Sequence, residues 1–148
     1  MVSGNNFSEE RQGKQYVGAI VVAPNGHILC QLRDDIPDIH FPGCWIACPG
    51  GLVESGETHD EAIRREMKEE FNIKIKDIEP LTKFALEGEY AGSYFVFATK
   101  LASPASQVQC NEGQKVEFFP PQEVLKLGQP EIPTGIFKKY LDTIEIRM

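Results

Sequence analysis

The sequence predicts a mixed α/β (α+β) domain, and three observations lead to that fold class. Runs rich in β-branched and aromatic residues recur at strand length, a strongly amphipathic helix pattern follows the third run, and an apolar-striped helix closes the chain. With 148 residues, 41% of them hydrophobic, the chain is large enough to bury a core. No internal repeat or second domain emerges, so we expect one domain over residues 1–148.

The N-terminal part predicts an arm, a hairpin and a loop. Residues 1–14 are polar and contain glycine and asparagine, which is typical of a flexible arm. The β-branched run at 15–23 predicts a buried strand, and residues 28–32 pair back on it as a hairpin. A charged loop at 33–43 then leads to a short strand at 44–48, and glycines at 50 and 51 predict a sharp turn.

A helix is predicted from the cap Thr58 to about Phe71. Thr58 and Glu61 have the spacing of a capping box, in which each side chain bonds the other residue's amide. Ile63, Met67 and Phe71 recur every four residues and form the stripe that packs on a sheet.

The C-terminal half predicts further strands and two helices. The strand segments, of which the first two form either separate strands or one bent strand, are 73–78, 81–86, 90–101 and 115–119. A turn at 87–89 and a polar loop at 102–113 connect them. A short helix around 122–127 follows two prolines, and the last helix starts at Pro133 or Thr134. Its apolar side consists of Ile136, Phe137, Tyr140, Leu141 and Ile144.

Three carboxylates fall on one edge of the central helix. Glu66, Glu69 and Glu70 are three or four residues apart or adjacent, so their like charges repel one another. Such a cluster favours a counter-charge, most simply a hard divalent cation with oxygen ligands. The alternative for this run alone is an ordinary solvated acidic face.

The segment from Gly51 to Ile73 resembles the conserved box of the Nudix hydrolases. That pattern is G, five residues, E, seven residues, then R-E-apolar-x-E-E-x-G-apolar. The positions in register are Gly51, Glu57, Arg65, Glu66, Met67, Glu69, Glu70 and Ile73. Asn72 stands where the family has glycine, at a helix end where asparagine is the next most tolerant residue of a left-handed conformation.

The resemblance implies the Nudix fold, a mixed β-sheet between α-helices, and a hydrolytic site. The implied catalytic residues are Glu57, Arg65, Glu66, Glu69 and Glu70, with Glu57 and Arg65 forming an ion pair. The implied metal ligands are Gly50 through its carbonyl, Glu66, Glu69 and Glu70, and Glu112 from a later loop is a further candidate. The cofactor is expected to be Mg²⁺, with Mn²⁺ as a substitute. Which glutamate acts as general base stays open, as does an exposed, non-functional role for Glu112.

The implied activity is hydrolysis of a nucleoside diphosphate linked to a moiety X. We prefer a nucleoside triphosphate, possibly a modified one, cleaved to the monophosphate and pyrophosphate. A nucleotide-sugar or dinucleoside polyphosphate hydrolase is the alternative, and a catalytically silent nucleotide sensor is the alternative from another class. The family also favours a homodimer.

Four residues outside the box are candidate substrate contacts. Arg33 could bind a phosphate, and Phe41 or Trp45 could stack on a base. Tyr90 lies about where the diadenosine polyphosphate subgroup of the family carries a tyrosine after its box. Their ordinary alternatives are an ion pair of Arg33 with a neighbouring aspartate and structural positions for the three aromatic side chains.

Charge and cysteine usage exclude several functions. A formal net charge of −7 argues against nucleic-acid binding through a basic surface, and no apolar run could cross a membrane. The four cysteines lack paired spacing and are typical of reduced thiols, so we expect a cytoplasmic protein. Zinc binding by Cys44, Cys48 and His40 is a minor alternative.

Overall fold

The computed structural model describes residues 13–87 and 91–147. The strands are β1 Lys14–Val22, β2 Ile28–Leu32, β3 Trp45–Ile46, β4 Gly50–Leu52, β5 Ile75–Leu86, β6 Gly92–Leu101 and β7 Lys115–Phe119. The helices are α1 His59–Phe71, α2 Pro121–Val124 and α3 Glu131–Arg147. A single 3₁₀ turn, Ala105–Gln107, interrupts the polar loop before β7.

The strands form one mixed sheet in the order β3-β2-β1-β6-β5. The central pair, β1 and β6, is parallel from Lys14↔Gly92 to Val22↔Lys100. The other pairs are antiparallel: β4 lies against the first half of β1, β7 against β2, and β5 against β6. The glycines of β4 are thereby placed beside the middle of the sheet.

Helices cover both faces of the sheet. Side chains alternate along each strand, so one strand supplies apolar residues to the cores on both faces. Val17, Ala19 and Val21 of β1 face the core that includes the apolar stripe of α1. Ile20 of β1 faces the second core, which is closed by α3. The predicted mixed sheet between α-helices is therefore confirmed.

The central helix has the predicted ends. Thr58 Oγ1 accepts from the Glu61 amide at 3.0 Å, and the Thr58 amide donates to Glu61 Oε1 at 2.9 Å. Asn72 closes the helix in the left-handed conformation, with φ of 56°. Ile63, Met67 and Phe71 are completely buried, so the predicted stripe packs against the sheet.

Several predicted boundaries were wrong. The predicted arm at 1–14 extends too far along the chain, because Lys14 already pairs with Gly92 in the sheet. Residues 1–12 lie outside the described residues. The strand predicted at 44–48 is limited to Trp45–Ile46. The expected turn at Gly50 and Gly51 is instead the start of strand β4, since these residues pair with β1.

The remaining differences concern the C-terminal half. The two segments at 73–78 and 81–86 are one bent strand, β5, with register shifts between Lys76 and Glu79 and between Pro80 and Thr82. The last helix begins at Glu131, two residues before Pro133, because proline is tolerated in a first helical turn. The turn predicted at 87–89 falls mainly outside the described residues.

Within residues 13–87 and 91–147, no helix combines the length and the apolar character that crossing a membrane requires.

Candidate active site

A cleft of about 450 Å³ opens where β4, helix α1 and the loop after β2 meet. Of the residues predicted from the sequence, those lining it are Arg33, Phe41, Gly50, Glu66, Glu69, Glu70 and Glu112. Glu57 and Arg65 lie behind this lining and hold it in place. Its volume is within the range of small-molecule sites.

Glu57 and Arg65 form the predicted ion pair. Arg65 donates from Nε to Glu57 Oε2 at 2.6 Å and from Nη2 to Glu57 Oε1 at 2.9 Å. Both side chains are mostly shielded from solvent, with 17% and 20% of their surfaces exposed. The hydrogen bonds from Arg65 lower the pKa of the Glu57 carboxyl. The two-pronged pair ties the loop before α1 to the second turn of the helix.

The remaining donors of Arg65 organise its surroundings. Nη2 also donates to the Leu52 carbonyl at 3.0 Å, which fixes the end of β4. Nη1 donates to Glu66 Oε2 at 2.9 Å and to Glu69 Oε1 at 3.1 Å. One guanidinium therefore joins β4, the loop and two carboxylates of the helix.

Glycine is required at the edge of β4 because other atoms fill the space of a side chain. A Cβ at Gly51 would lie 2.4 Å from Glu66 Oε1, and one at Gly50 would lie 1.9 Å from the Val17 carbonyl oxygen. The absence of side chains lets the strand approach both β1 and the helix carboxylates.

Glu70 is the most unusual carboxylate of the site. It is buried, with 6% of its surface exposed, and among the described residues its Oε1 is a buried side-chain oxygen without a hydrogen-bond partner. Burial, followed by the neighbouring carboxylates of Glu66 and Glu112, raises the pKa of Glu70. A cation beside these groups would satisfy the unpaired oxygen and offset the repulsion.

Glu112 reaches Glu70 through a loop that lies along the end of α1. The amides of Gln109 and Asn111 donate to the last helix carbonyls, those of Phe71 and Glu70, both at 2.9 Å. The buried Gln31 side chain donates to the Glu112 carbonyl at 3.0 Å and fixes the loop from the other side. The sequence hinted at Glu112 only by resemblance, since its approach depends on this long-range docking.

The carboxylate oxygens are suitable ligands for a hard divalent ion, provided that Glu66 and Glu69 turn away from Arg65. As the side chains stand, no three His, Cys, Asp or Glu groups in the described ranges converge as a finished metal site. Glu66 and Glu69 both turn toward Arg65 Nη1 instead. Glu70 and Glu66 already point to the same buried corner. Glu70 has its unpaired oxygen there, and the Glu66 carboxylate lies directly beside Gly51. A metal role for Gly50, Glu66, Glu69, Glu70 and Glu112 remains a prediction.

Arg33 makes no salt bridge with any carboxylate of the described residues. Its Nε donates to the His40 carbonyl at 3.0 Å, and its Nη1 lies 3.4 Å from Gln31 Oε1. Both partners are neutral, so its charge is not balanced by Asp34 or Asp35. The guanidinium lines a cleft whose other end is acidic.

The three predicted aromatic contacts have different outcomes. Phe41 lines the cleft. Trp45 is not brought to it, because its ring packs edge-on against Phe119 at 5.3 Å in the second core. Tyr90 lies outside the described residues, so its predicted role stays untested.

Apart from Phe41, sequence reasoning did not predict the aromatic lining of the cleft, to which Tyr16, His40, Phe84 and Tyr94 also belong. Tyr16, Phe84 and Tyr94 come from three strands that are distant in sequence. Only the register of β1, β6 and β5 brings them together. Alternation along each strand was the available signal, and it does not reveal which strands become neighbours.

The zinc alternative finds no support in the geometry. His40 Nδ1 is 2.7 Å from the Tyr94 hydroxyl, and Cys44 Sγ contacts the Pro42 carbonyl. No cluster of three metal-binding side chains is formed with Cys48 within the described ranges. All four cysteines are free thiols.

Comparison with known proteins adds a family and a fold. The NUDIX domain profile matches residues 14–139. A curated relative, nucleoside triphosphatase NudI of Escherichia coli O139:H28, is 45% identical over 58 residues, which are 38% of this chain and only 39% of that protein. The matched region thus spans well under half of the relative.

Solved structures agree over more of the chain. An Ap4A hydrolase binary complex from C. elegans has a TM-score of 0.72 at 21% identity, covering 90% of this chain and 98% of the other. The NUDIX domain of Shewanella oneidensis NrtR with ADP ribose has a TM-score of 0.73 at 16% identity, covering 88% and 87%. At these identities the likeness establishes the fold.

Proposed function

Because the chain belongs to the Nudix family, we propose that it is a hydrolase acting on acid anhydrides, which cleaves a nucleoside diphosphate linked to X with the help of Mg²⁺. The preferred substrate is a nucleoside triphosphate, cleaved to the monophosphate and pyrophosphate. The observation that carries this proposal is the group of carboxylates at the end of a nucleotide-sized cleft, in which Glu66 and Glu70 are buried and Glu112 approaches Glu70. The similarity to a nucleoside triphosphatase over 58 residues supports the choice of substrate.

We call the end of the cleft that is lined by Glu66, Glu69, Glu70 and Glu112 the acidic corner, and this corner would hold the cofactor. Glu66, Glu69, Glu70 and Glu112 supply carboxylate oxygens and Gly50 a carbonyl, which are the ligands that Mg²⁺ and Mn²⁺ prefer. A bound divalent ion supplies neutralisation of phosphate charge and a lowered pKa of water. Arg65 would then keep Glu57 as its main partner and release Glu66 and Glu69.

The side chains of this protein would divide the remaining work. Arg33 binds a phosphate of the substrate, since its charge faces the cleft without a carboxylate partner in the described residues. Water attacks phosphorus, the anhydride P–O bond breaks, and a cluster carboxylate that binds no metal takes the water proton. The Glu57 and Arg65 pair positions the helix and β4 and does not touch the substrate.

A substrate panel tests this proposal. Purified protein with Mg²⁺, and separately with Mn²⁺, is given nucleoside triphosphates, oxidised triphosphates, nucleotide sugars, ADP-ribose and dinucleoside polyphosphates, and the products are resolved. Strong metal-dependent release of pyrophosphate from a triphosphate is the expected result. If the protein hydrolyses only another class of substrate on the panel, the proposed identity of the moiety X is wrong. Nucleotide binding without turnover in either metal would replace the hydrolase with a sensor.

Three broader predictions accompany the proposal. A cytoplasmic location agrees with four free cysteines. A homodimer and a single domain over residues 1–148 are carried forward as expectations, and light scattering of the purified chain tests the dimer.

A further inference from the structure

A buried glutamine lies between the two charged ends of the cleft. Gln31 of β2 is completely buried, although its side-chain amide contains both hydrogen-bond donors and an acceptor. Its Nε2 donates to the Glu112 carbonyl at 3.0 Å, and its Oε1 accepts from Arg33 Nη1 at 3.4 Å. One side chain therefore contacts both the loop of the acidic corner and the residue that is proposed to bind phosphate.

The two partners fix the orientation of this amide. A carbonyl can only accept a hydrogen bond and a guanidinium can only donate one, so exchanging Nε2 and Oε1 would break both contacts. Because Gln31 is completely buried, an amide atom that loses its partner is left unpaired, which carries the full cost of removing that atom from water. Moving either the loop or the guanidinium therefore disturbs the other.

The loop that carries Glu112 packs closely on β2 beside Gln31. Gly113 has a φ of 91°, and a Cβ at this position would lie 3.0 Å from Gln31 Nε2. The Gln114 side chain donates to the Arg33 carbonyl at 2.9 Å. The other end of the loop is bonded to the last carbonyls of α1. The loop thus connects the helix of the acidic corner to the segment of β2 that leads to Arg33.

Arg33 is oriented by two neutral acceptors, the His40 carbonyl and the Gln31 side chain. Because neither acceptor carries a charge, the positive charge of the guanidinium remains available to a phosphate group in the cleft. A carboxylate in the place of the Gln31 amide would cancel this charge and would repel the Glu112 carbonyl oxygen. The neutral amide is therefore suited to hold both groups.

We propose that Gln31 is a positioning residue, which orients Arg33 toward the substrate phosphate and holds the Glu112 loop at the acidic corner. The inference rests on the proposed function, in which Arg33 binds phosphate and Glu112 helps to bind the divalent ion. It goes beyond that function by linking the two ends of the cleft. Loss of the amide contacts weakens the binding of the metal and of the phosphate together.

Three variants test this role. Gln31→Met keeps the length of the side chain and removes both amide contacts. Gly113→Ala displaces the loop while Gln31 itself is unchanged. Gln129→Met is the matched control, because Gln129 also bonds a backbone group distant in sequence, the Ala47 amide, and does not line the cleft.

We expect both affinities to fall when Gln31 is replaced. The Kd for Mn²⁺, measured without nucleotide from the electron paramagnetic resonance of free Mn²⁺, should rise about tenfold in Gln31→Met and in Gly113→Ala. KM for a nucleoside triphosphate should rise about fivefold in Gln31→Met. Gln129→Met should change neither quantity.

Double variants distinguish positioning from a general loss of stability. The effect of Gln31→Met on KM should disappear in an Arg33→Met background, because the amide acts on the phosphate through that guanidinium. Its effect on Mn²⁺ affinity should disappear in a Glu112→Gln background for the same reason. Additive effects in both double variants would overturn the inference, as would equal effects of Gln31→Met and Gln129→Met.

Hydrogen exchange in the metal-free protein separates this inference from the proposed reaction. The Arg33 Nε–H and the Asn111 amide, which donates to α1, should exchange at least about fivefold faster in Gln31→Met than in the wild type. That result without turnover of any substrate would reject the hydrolytic proposal and keep the positioning role. Unchanged exchange at both groups would reject the positioning role even if turnover is high, and faster exchange at only one would reject the link. If Gln31→Met does not fold, the same measurements are made on Gly113→Ala.

Discussion

Replacing Glu70 by glutamine should stabilise the metal-free protein while it removes turnover. Glu70 is buried beside Glu66 and Glu112, so its ionised form is disfavoured in the folded chain and its pKa lies above the usual 4.5. At pH 7 the folded protein must either bind a proton there or tolerate the repulsion. Binding that proton at pH 7 costs about 3 kcal/mol, at about 1.4 kcal/mol per pH unit above 4.5. Glutamine avoids this cost and keeps the shape.

The pH dependence has a definite sign. Because folding raises the pKa, the folded chain binds more protons than the unfolded chain above pH 4.5, and the wild-type free energy of unfolding falls toward neutral pH. The advantage of Glu70→Gln should therefore be about 1 to 3 kcal/mol at pH 7, or about 3 to 9 °C in Tm. It should shrink to below about 1 kcal/mol at pH 5.

Thermal unfolding with a chelator, at both pH values, measures this difference. Glu69→Gln is the matched control, since that carboxylate is 60% exposed and its loss should change stability by less than about 0.5 kcal/mol. With Mg²⁺, turnover by Glu70→Gln should fall at least about a hundredfold, and Mg²⁺ should raise Tm less than in the wild type. A Tm at or below that of the wild type at pH 7 in chelator would refute the reasoning.

Three further predictions use other parts of the site. Glu57→Gln removes the carboxylate to which Arg65 donates two hydrogen bonds, so urea unfolding should show a loss of about 1 to 2 kcal/mol and kcat should fall; unaltered values for both would contradict the role of this pair in holding the loop to the helix. Asn72→Ala should cost about 1 kcal/mol because φ is 56° there, whereas Asn72→Gly should be nearly neutral, and equal effects of the two would count against left-handed strain. In timed alkylation at pH 8 followed by mass spectrometry, the exposed Cys110 should react well before Cys30 and Cys48, because burial raises the pKa of those two thiols to about 12; rapid labelling of Cys48 would contradict that order.

The parts of the fold that depend on neighbours in sequence were predicted well. Helix α1 obeys local rules, since its cap, its stripe and its left-handed end all lie within fifteen residues. The Glu57 and Arg65 pair was implied by the family resemblance of the same short segment, and the structure forms it. The helical spacing placed Glu66, Glu69 and Glu70 on one edge of this helix, and the structure brings Glu66 and Glu70 to the same buried corner.

Features that depend on distant pairing were not predictable. The two glycines at 50 and 51 have the composition of a turn, and only the presence of β1 beside them makes them a strand. Trp45 was as plausible a ligand contact as Phe41, because sequence does not tell which side of a two-residue strand faces the core. Tyr16, Tyr94 and Phe84 are equally ordinary strand residues until their register is known.

The loop that brings Glu112 to the site also gives that site its own local stability. Its amides at 109 and 111 close the C-terminal end of α1, so opening this loop both frays the helix and separates Glu112 from Glu70. These bonds lie in an exposed segment, and they should open with a smaller free energy than the strands beneath them. In hydrogen exchange, the amides of Gln109 and Asn111 should therefore exchange together and earlier than those of β1. The lifetime of an assembled acidic corner is then set by a surface loop, while the core strands can remain folded through many such openings.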